Sequence, residues 1–357
     1  MSAASDPGKG TQRAVGETPV VGDASAKSAP LRLGVVGTFV WDRIHAREGR
    51  ETVVEEWGGI AYALAALAAA RPEGWQIVPI LKVGRDLDER ARAFLASLPD
   101  LDTVSAVRTV EEPNNRVELR YVDRERRTER LTGGVPGWEW DELEPLLGGL
   151  DALYVNFIAG WELGLDSALR LRRACPGPLY ADLHSLLLDV GPEGRRVPRS
   201  LAAWREWLTA FDIVQMNEDE LATLAGRWGD PWTLAAEVVG VDLRLLLVTL
   251  GERGAAYVES PLYGEGPARW RRTGLEPARP LGAPGPTTSA RVPLPGPARE
   301  GDPTGCGDVW GATCFAALLS GRPIEAAIAR AHAAAARNVG HHGASGLHRH
   351  LSGRIHT

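Results

Sequence analysis

Hydrophobic positions along the chain fall into two alternating patterns. Short unbroken apolar runs mark buried strands at Leu33–Val40, Gln76–Lys82, Asp151–Asn156, Pro178–Asp182, Asp212–Met216 and Leu243–Thr249. Helical stretches lie between them. The clearest are the alanine-rich Gly59–Ala70, then Asp86–Ser97, Gly307–Leu319 and Pro323–Val339. Three further segments, Val104–Val110, Arg116–Asp123 and Arg127–Leu131, alternate apolar with charged positions and read as strands with one wet face. Strand and helix in alternation predict an α/β fold: a mostly parallel, doubly wound central sheet with helices on both faces, a three-layer α/β/α sandwich.

Two stretches break the pattern. Residues 1–30 are rich in Ala, Ser, Gly and Pro and carry no apolar period, so a disordered tail is expected there. From Tyr263 to Glu300 the chain is crowded with Pro, Gly and Arg, which predicts a long exposed loop over 263–300. The expected organisation is one folded unit over 31–350, followed by a short tail at 351–357. The chain has 357 residues, enough for one large domain with trimmings or two small ones.

Composition excludes several classes. Net charge is −6, and the longest basic run is Arg124-Glu125-Arg126-Arg127, so no nucleic-acid partner is expected. The longest apolar run, Ile60–Ala70, has 11 residues, well short of the roughly 20 that span a bilayer. Three cysteines make no disulfide framework, and no basic-then-apolar leader pattern opens the sequence. A cytoplasmic protein that handles a small molecule is therefore expected. Five of the eight histidines crowd the last 17 residues, which reads as a solvated tail or, less simply, a metal cluster. The fragment Gly8-Lys9-Gly10-Thr11 lacks the spacing and flanking elements of a phosphate loop. Gly34 and Gly37 lack those of a dinucleotide fingerprint.

The chemistry concentrates at Gly301-Asp302-Pro303-Thr304-Gly305-Cys306-Gly307-Asp308, directly before a helix of small residues. Gly305 and Gly307 let the backbone turn tightly so that consecutive N–H groups face one point, and the helix adds its positive end. A carboxylate at Asp308, on the first turn, is favoured in its ionised form and can accept a hydroxyl proton. An anion cradle beside a base is what phosphoryl transfer requires. A second constellation, Asn217-Glu218-Asp219-Glu220, places two polar side chains three apart on one helix turn. A carboxylate there suits Mg²⁺, and the same residues also spell a helix capping box. Asp182 and His184 end a strand on the presumed ligand side of the sheet, where they either face a ligand or merely terminate the strand.

Gly301–Asp308, continuing into Val309-Trp310-Gly311-Ala312, resembles the C-terminal signature of the ribokinase-like (PfkB) sugar kinases, with Pro303 and Cys306 departing from the usual Thr and Ala. Other landmarks follow in the family's order. They are Gly37–Asp42, Gly58-Gly59, Val83-Gly84-Arg85-Asp86, Asn217–Glu220, Val248–Ala255 and the helix Ala331–Ala336, where His332 replaces a frequent Asn.

The resemblance implies the ribokinase-like sandwich with a small β lid, built from strands around 43–57 and 117–131. It implies an ATP-dependent carbohydrate kinase that phosphorylates an alcohol group. Asp308 would be its base, and Gly305, Cys306 and Gly307 its anion hole. Asp42, Gly58 and Gly59 would bind the acceptor. Asn217, Glu220, Thr249, Gly251, Gly254, Thr304 and His332 would serve ATP, with Glu220 managing Mg²⁺ through water. Asp302 with Thr304 would offer oxygens to a monovalent cation. The implied partners are ATP and a small-molecule acceptor, with a homodimer allowed.

One departure bears on substrate: five residues after Gly58, Ala63 stands where the family often has a sugar-binding Asn. Trp41, Trp57 and Tyr62 flank that region and either stack on a ligand or pack the core. A nucleoside kinase on the same scaffold, or a nucleotide- or sugar-binding regulator without catalysis, stays open beside the sugar-kinase reading.

Overall fold

The computed structural model describes residues 29–45, 53–103, 106–121, 127–226, 229–271, 285–297 and 299–353. The tail expected over 1–30 and the basic run at 124–127 lie almost wholly outside these residues.

Among the described residues fourteen strands form in chain order: β1 Leu31–His45, β2 Val53–Gly59, β3 Trp75–Gly84, β4 Val107–Val110, β5 Asn115–Tyr121, β6 Arg127–Thr132, β7 Ala152–Asn156, β8 Leu179–Asp182, β9 Leu188–Val190, β10 Arg196–Pro198, β11 Ile213–Asn217, β12 Leu245–Thr249, β13 Ala255–Glu259 and β14 Thr288–Val292. The α-helices are α1 Ile60–Ala70, α2 Asp88–Ala96, α3 Trp140–Leu143, α4 Leu165–Ala174, α5 Trp204–Thr209, α6 Glu218–Ala225, α7 Pro231–Val238, α8 Cys306–Leu319, α9 Ile324–Asn338 and α10 Leu347–Ser352.

The main sheet runs β14-β13-β12-β11-β8-β7-β1-β3-β4. Its strands from β12 to β4 are parallel, and β13 and β14 close one edge antiparallel. The strand interiors are apolar on both sides because both faces are covered. Leu33, Val35, Tyr154, Tyr180, Leu245 and Leu247 face α1, α2, α8, α9 and α10. The alternate positions Val36, Leu153, Val155, Leu246 and Val248 face α3 to α7. This is the expected three-layer sandwich.

β1 is long because it serves two sheets. Residues 31–38 pair with β3, while 40–45 pair with β5 and, antiparallel, with β2. β5 in turn pairs with β6. The lid, a mixed sheet in which β1 and β5 run parallel, is therefore an extension of the central strand. The turn before β5 is held by the Val83–Asp86 motif. Gly84 N–H donates to Asn114 Oδ1 at 3.1 Å, Asn114 N–H donates to Asp86 Oδ1 at 2.7 Å, and Asp86 also pairs with Arg116. A side chain at Gly84 would overlap the Asn114 backbone.

The stretch expected to be loop over 263–300 holds a strand, β14, at the sheet edge. Its residues are largely exposed, so no apolar alternation announces it. In the histidine-rich end His348 is buried in α10 and His341 stacks on His350 at 5.2 Å, whereas His342 is exposed and His356 lies outside the described residues.

Candidate active site

The chain leaves β1 to one side for β3 and β4, then returns to build β7, β8, β11 and β12 on the other. The crevice at such a reversal lies at the carboxyl ends of the strands, and the polar side chains gather there.

The α8 turn stands over this crevice. Gly305 caps the helix at φ 75°, and a side chain there would intrude on the Tyr62 ring of α1. Tyr62 is thus a buttress for the turn. At Gly307 a Cβ would meet nothing, so this residue faces open space. Asp308, half-buried on the first turn, accepts a hydrogen bond from Asn156 Nδ2 at 2.7 Å. Gly307, Cys306, Thr249, Gly251, Gly254 and His332 line one cavity of about 790 Å³, together with Trp310, Ala333 and the 294–297 segment. Cavities of this size hold cofactor-sized ligands.

His332 enters the cavity wall with both ring nitrogens committed. Nδ1 accepts from Trp310 Nε1 at 3.1 Å, so Nε2 carries the proton and donates to the Val292 carbonyl at 3.2 Å. Burial lowers its pKa and keeps it neutral. It therefore presents ring surface, not a free hydrogen-bonding atom.

Asp42 lies on the lid half of β1, buried. Its carboxylate covers Gly58, where any side chain would overlap it, and Gly59 turns at φ 58° against the Thr38 carbonyl. The structure thus brings Asp42, Gly58 and Gly59 together. Trp41 and Trp57 pack elsewhere. They meet edge to face at 5.1 Å among Phe39 and Phe94, with the Arg90 guanidinium over Trp41. Ala63 is fully buried in α1.

Asn217 and Glu220 form the capping box. Glu220 N–H donates to Asn217 Oδ1 at 2.9 Å, and Glu220 Oε2 accepts from Asn217 N–H at 2.8 Å. Glu220 Oε1 accepts from Asn217 Nδ2 and meets His184 Nδ1 at 2.7 Å. Both Glu220 oxygens are engaged by protein groups, so any contact with a metal would run through water. Among the described residues no three His, Cys, Asp or Glu side chains converge to hold a metal directly. Burial pushes the Asp182 carboxyl up to about 8, reinforced by Glu220 and Asp308 and opposed by His184. Burial works against the His184 cation, but its bond to Glu220 prevails and raises its pKa, although the ring edge meets solvent.

Asp302 and Thr304 bond to each other. Asp302 Oδ1 accepts from Thr304 N–H and Oγ1 at 2.9 and 2.6 Å, and Asn338 Nδ2 donates to the Thr304 carbonyl at 2.8 Å. Asp302 Oδ2 lies 3.5 Å from His342 Nδ1.

Sequence reasoning passed over Asn156 and Gln215. Gln215 Nε2 donates to the Gly307 carbonyl at 3.2 Å. The available signal was a polar residue in an otherwise apolar strand, at the end of β7 for Asn156 and in the middle of β11 for Gln215.

Residues 194–349 match the model of the pfkB family carbohydrate kinases. No curated protein matches the chain. Solved structures share its fold. One is a ribokinase of Arabidopsis thaliana complexed with ribose and ATP, 17% identical, TM-score 0.62, over 90% of this chain and 97% of that one. Another is a Burkholderia thailandensis nucleoside kinase with inosine, 16% identical, TM-score 0.59, over 90% and 97%. A third is a pyrophosphate-dependent kinase of the ribokinase family with a pyrophosphate analog and myo-inositol, 16% identical, TM-score 0.64, over 88% and 98%. Among the described residues no helix is long and apolar enough to cross a membrane.

Proposed function

We propose that this chain, whose residues 194–349 match the pfkB family carbohydrate kinase model and whose fold is shared with ribokinases, transfers the γ-phosphoryl group of ATP to a hydroxyl of a sugar or sugar-like small molecule. The observation that carries this reading is Asp308 on the first turn of α8, one residue from Gly307 at the cavity wall and fixed by Asn156.

In this reading Asp308 accepts the acceptor's hydroxyl proton, and the N–H groups of Gly305, Cys306 and Gly307 stabilise charge on the transferred group. Asp42 accepts hydrogen bonds from acceptor hydroxyls, and the bare backbone of Gly58 and Gly59 lets the acceptor approach. Thr249, Gly251 and Gly254 border the nucleotide, with the His332 ring as wall. Asn217 and Glu220 would hold Mg²⁺ through water, and the bound ion would neutralise charge on the phosphates.

Two observations sharpen the choice of substrates. The cavity continues past the Gly307 turn to Trp310 and His332, which gives room for a base and ribose that a pyrophosphate donor does not need. The tryptophans near Asp42 pack against Phe94 and Arg90, which favours a polyol over a nucleoside acceptor. The test is phosphate transfer from ATP and from pyrophosphate to ribose, inosine and myo-inositol, with Asp308→Asn alongside. Turnover with ATP is expected, and a loss of ~10²–10⁴-fold in the variant at unchanged nucleotide affinity. Full turnover in Asp308→Asn overturns the reading.

A further inference from the structure

Asn156, Asp182 and Gln215 come from strands far apart in sequence, yet they occupy one row of the sheet. β7 pairs Asn156 with Asp182, and β11 pairs Gln215 with Asp182. Paired residues of parallel strands point to the same face, so all three side chains rise toward α8. The row below is apolar or aromatic: Tyr154, Tyr180 and Ile213 belong to the core under α8, with the two tyrosine rings stacked at 5.0 Å. All three polar residues are buried. Polar side chains are costly there unless each makes defined bonds.

Two of them make those bonds to consecutive residues of the α8 turn. Asn156 Nδ2 donates to Asp308 Oδ1 at 2.7 Å. Gln215 Nε2 donates to the Gly307 carbonyl at 3.2 Å, and Gln215 Oε1 accepts from Tyr180 Oη at 2.6 Å. Gln215 thus has its amide orientation set from below and spends its N–H on the turn above. The helix accommodates it with a gap: at Gly311 a Cβ would overlap Gln215 Oε1. Tyr180, Gln215, Gly307 and Gly311 fit only as a set.

We propose that Asn156 and Gln215 are paired positioning residues, Gln215 fixing the Gly307 peptide and Asn156 the Asp308 carboxylate, so that anion cradle and base keep one mutual geometry. The proposal rests on the phosphoryl-transfer reading of Asp308. A peptide held by its carbonyl cannot rotate its plane, which keeps the neighbouring N–H groups aimed outward. A carboxylate held on one oxygen keeps the other oriented for a hydroxyl. Small misplacements of such groups cost rate rather than binding.

Three variants separate this from simple packing. Gln215→Glu keeps size and the acceptor for Tyr180 but loses the donor to Gly307. Asn156→Leu removes the donor to Asp308. Gly311→Ala displaces the Gln215 amide without touching its chemistry. Each is expected to lower kcat about 10–100-fold while KM for ATP and for the acceptor stays within about twofold. In the ligand-free protein, amide exchange of the 303–312 segment is expected to quicken in Gln215→Glu and Gly311→Ala while the rest of α8 is unchanged. Combining Gly311→Ala with Gln215→Ala is expected to cost no more than Gln215→Ala alone, since the clashing amide is gone. Wild-type kcat and exchange in Gln215→Glu, or additive losses in the double variant, overturn the clamp while inactivity of Asp308→Asn leaves the transfer reading standing. If Asp308→Asn is itself fully active, both fall.

Discussion

At the residue scale, substitutions that look conservative carry distinct chemistry. Cys306 stands where the signature this segment resembles commonly has Ala. Its thiol lies on the wall of the cavity of about 790 Å³, 3.6 Å from the Ala335 carbonyl and 3.4 Å from Asn338 Nδ2, whereas Cys175 and Cys314 are buried. Burial also pushes the Cys314 thiol far up, so it is inert. Alkylation at Cys306 would put bulk into the cavity proposed to take the nucleotide phosphates. A thiol reagent is expected to abolish turnover, ATP to protect, and Cys306→Ala to stay active and resistant. Equal inactivation of both proteins refutes this. Asp42 makes a complementary case. If Asp42 binds the acceptor as proposed, Asp42→Ala removes a hydrogen-bond acceptor for its hydroxyls, and the apparent affinity for that substrate should drop by roughly 1.5–3 kcal/mol with ATP affinity constant. Calorimetric titration of both ligands decides it, and parallel weakening would move Asp42 out of the acceptor site.

At the element scale, the Val83–Asp86 motif is a fastening rather than a ligand site. Asn114 is fully buried; it accepts from Gly84 N–H and donates to the carbonyls of Phe39 and Asn115. Asn114→Ala leaves those groups unpaired, and thermal unfolding should show a loss of about 2–4 kcal/mol. A stability within 0.5 kcal/mol of wild type would contradict this role. Most elements were legible in the sequence because their apolar runs are buried on both faces. α1, β12, α8 and α9 fall within a residue or two of expectation. β14 was not, since an exposed edge strand has no apolar face to signal it. Nor was the Asn156–Asp182–Gln215 row, which exists only once β7, β8 and β11 pair; their separation along the chain hides it. The tryptophan cluster was ambiguous for a related reason: position beside Asp42 along a strand says nothing of which face a side chain takes until the pairing is known.

At the scale of the whole molecule, the crevice lowers stability as pH rises. The Asp182 carboxyl titrates near 8 when folded and near 4 when unfolded, so the folded protein binds this proton more tightly. That contribution is complete below about pH 4 and is lost progressively as pH climbs to about 8. His184, also raised, weakens the fold in the same sense as it deprotonates. Asp182→Asn keeps the shape and the acceptor for His184 N–H without the ionisation. In protein free of metal and nucleotide, its melting temperature should exceed wild type at pH 8, with the gap closing toward pH 4. A gap independent of pH would remove Asp182 as the cause.

The shared strand β1 has a mechanical meaning. Its 15 residues belong to the main sheet at one end and to the lid at the other, with no loop between. The lid is therefore a cantilever. It is joined to its support by a continuous beam, and Asp42, the proposed acceptor-binding residue, sits on that beam. Displacing it bends the ladder hydrogen bonds around Phe39 elastically, and the restoring force grows with the deflection. A swinging door on a free pivot would show an open and a shut population. A cantilever shows a single population whose width is set by stiffness, and tightening the grip on the acceptor narrows that spread.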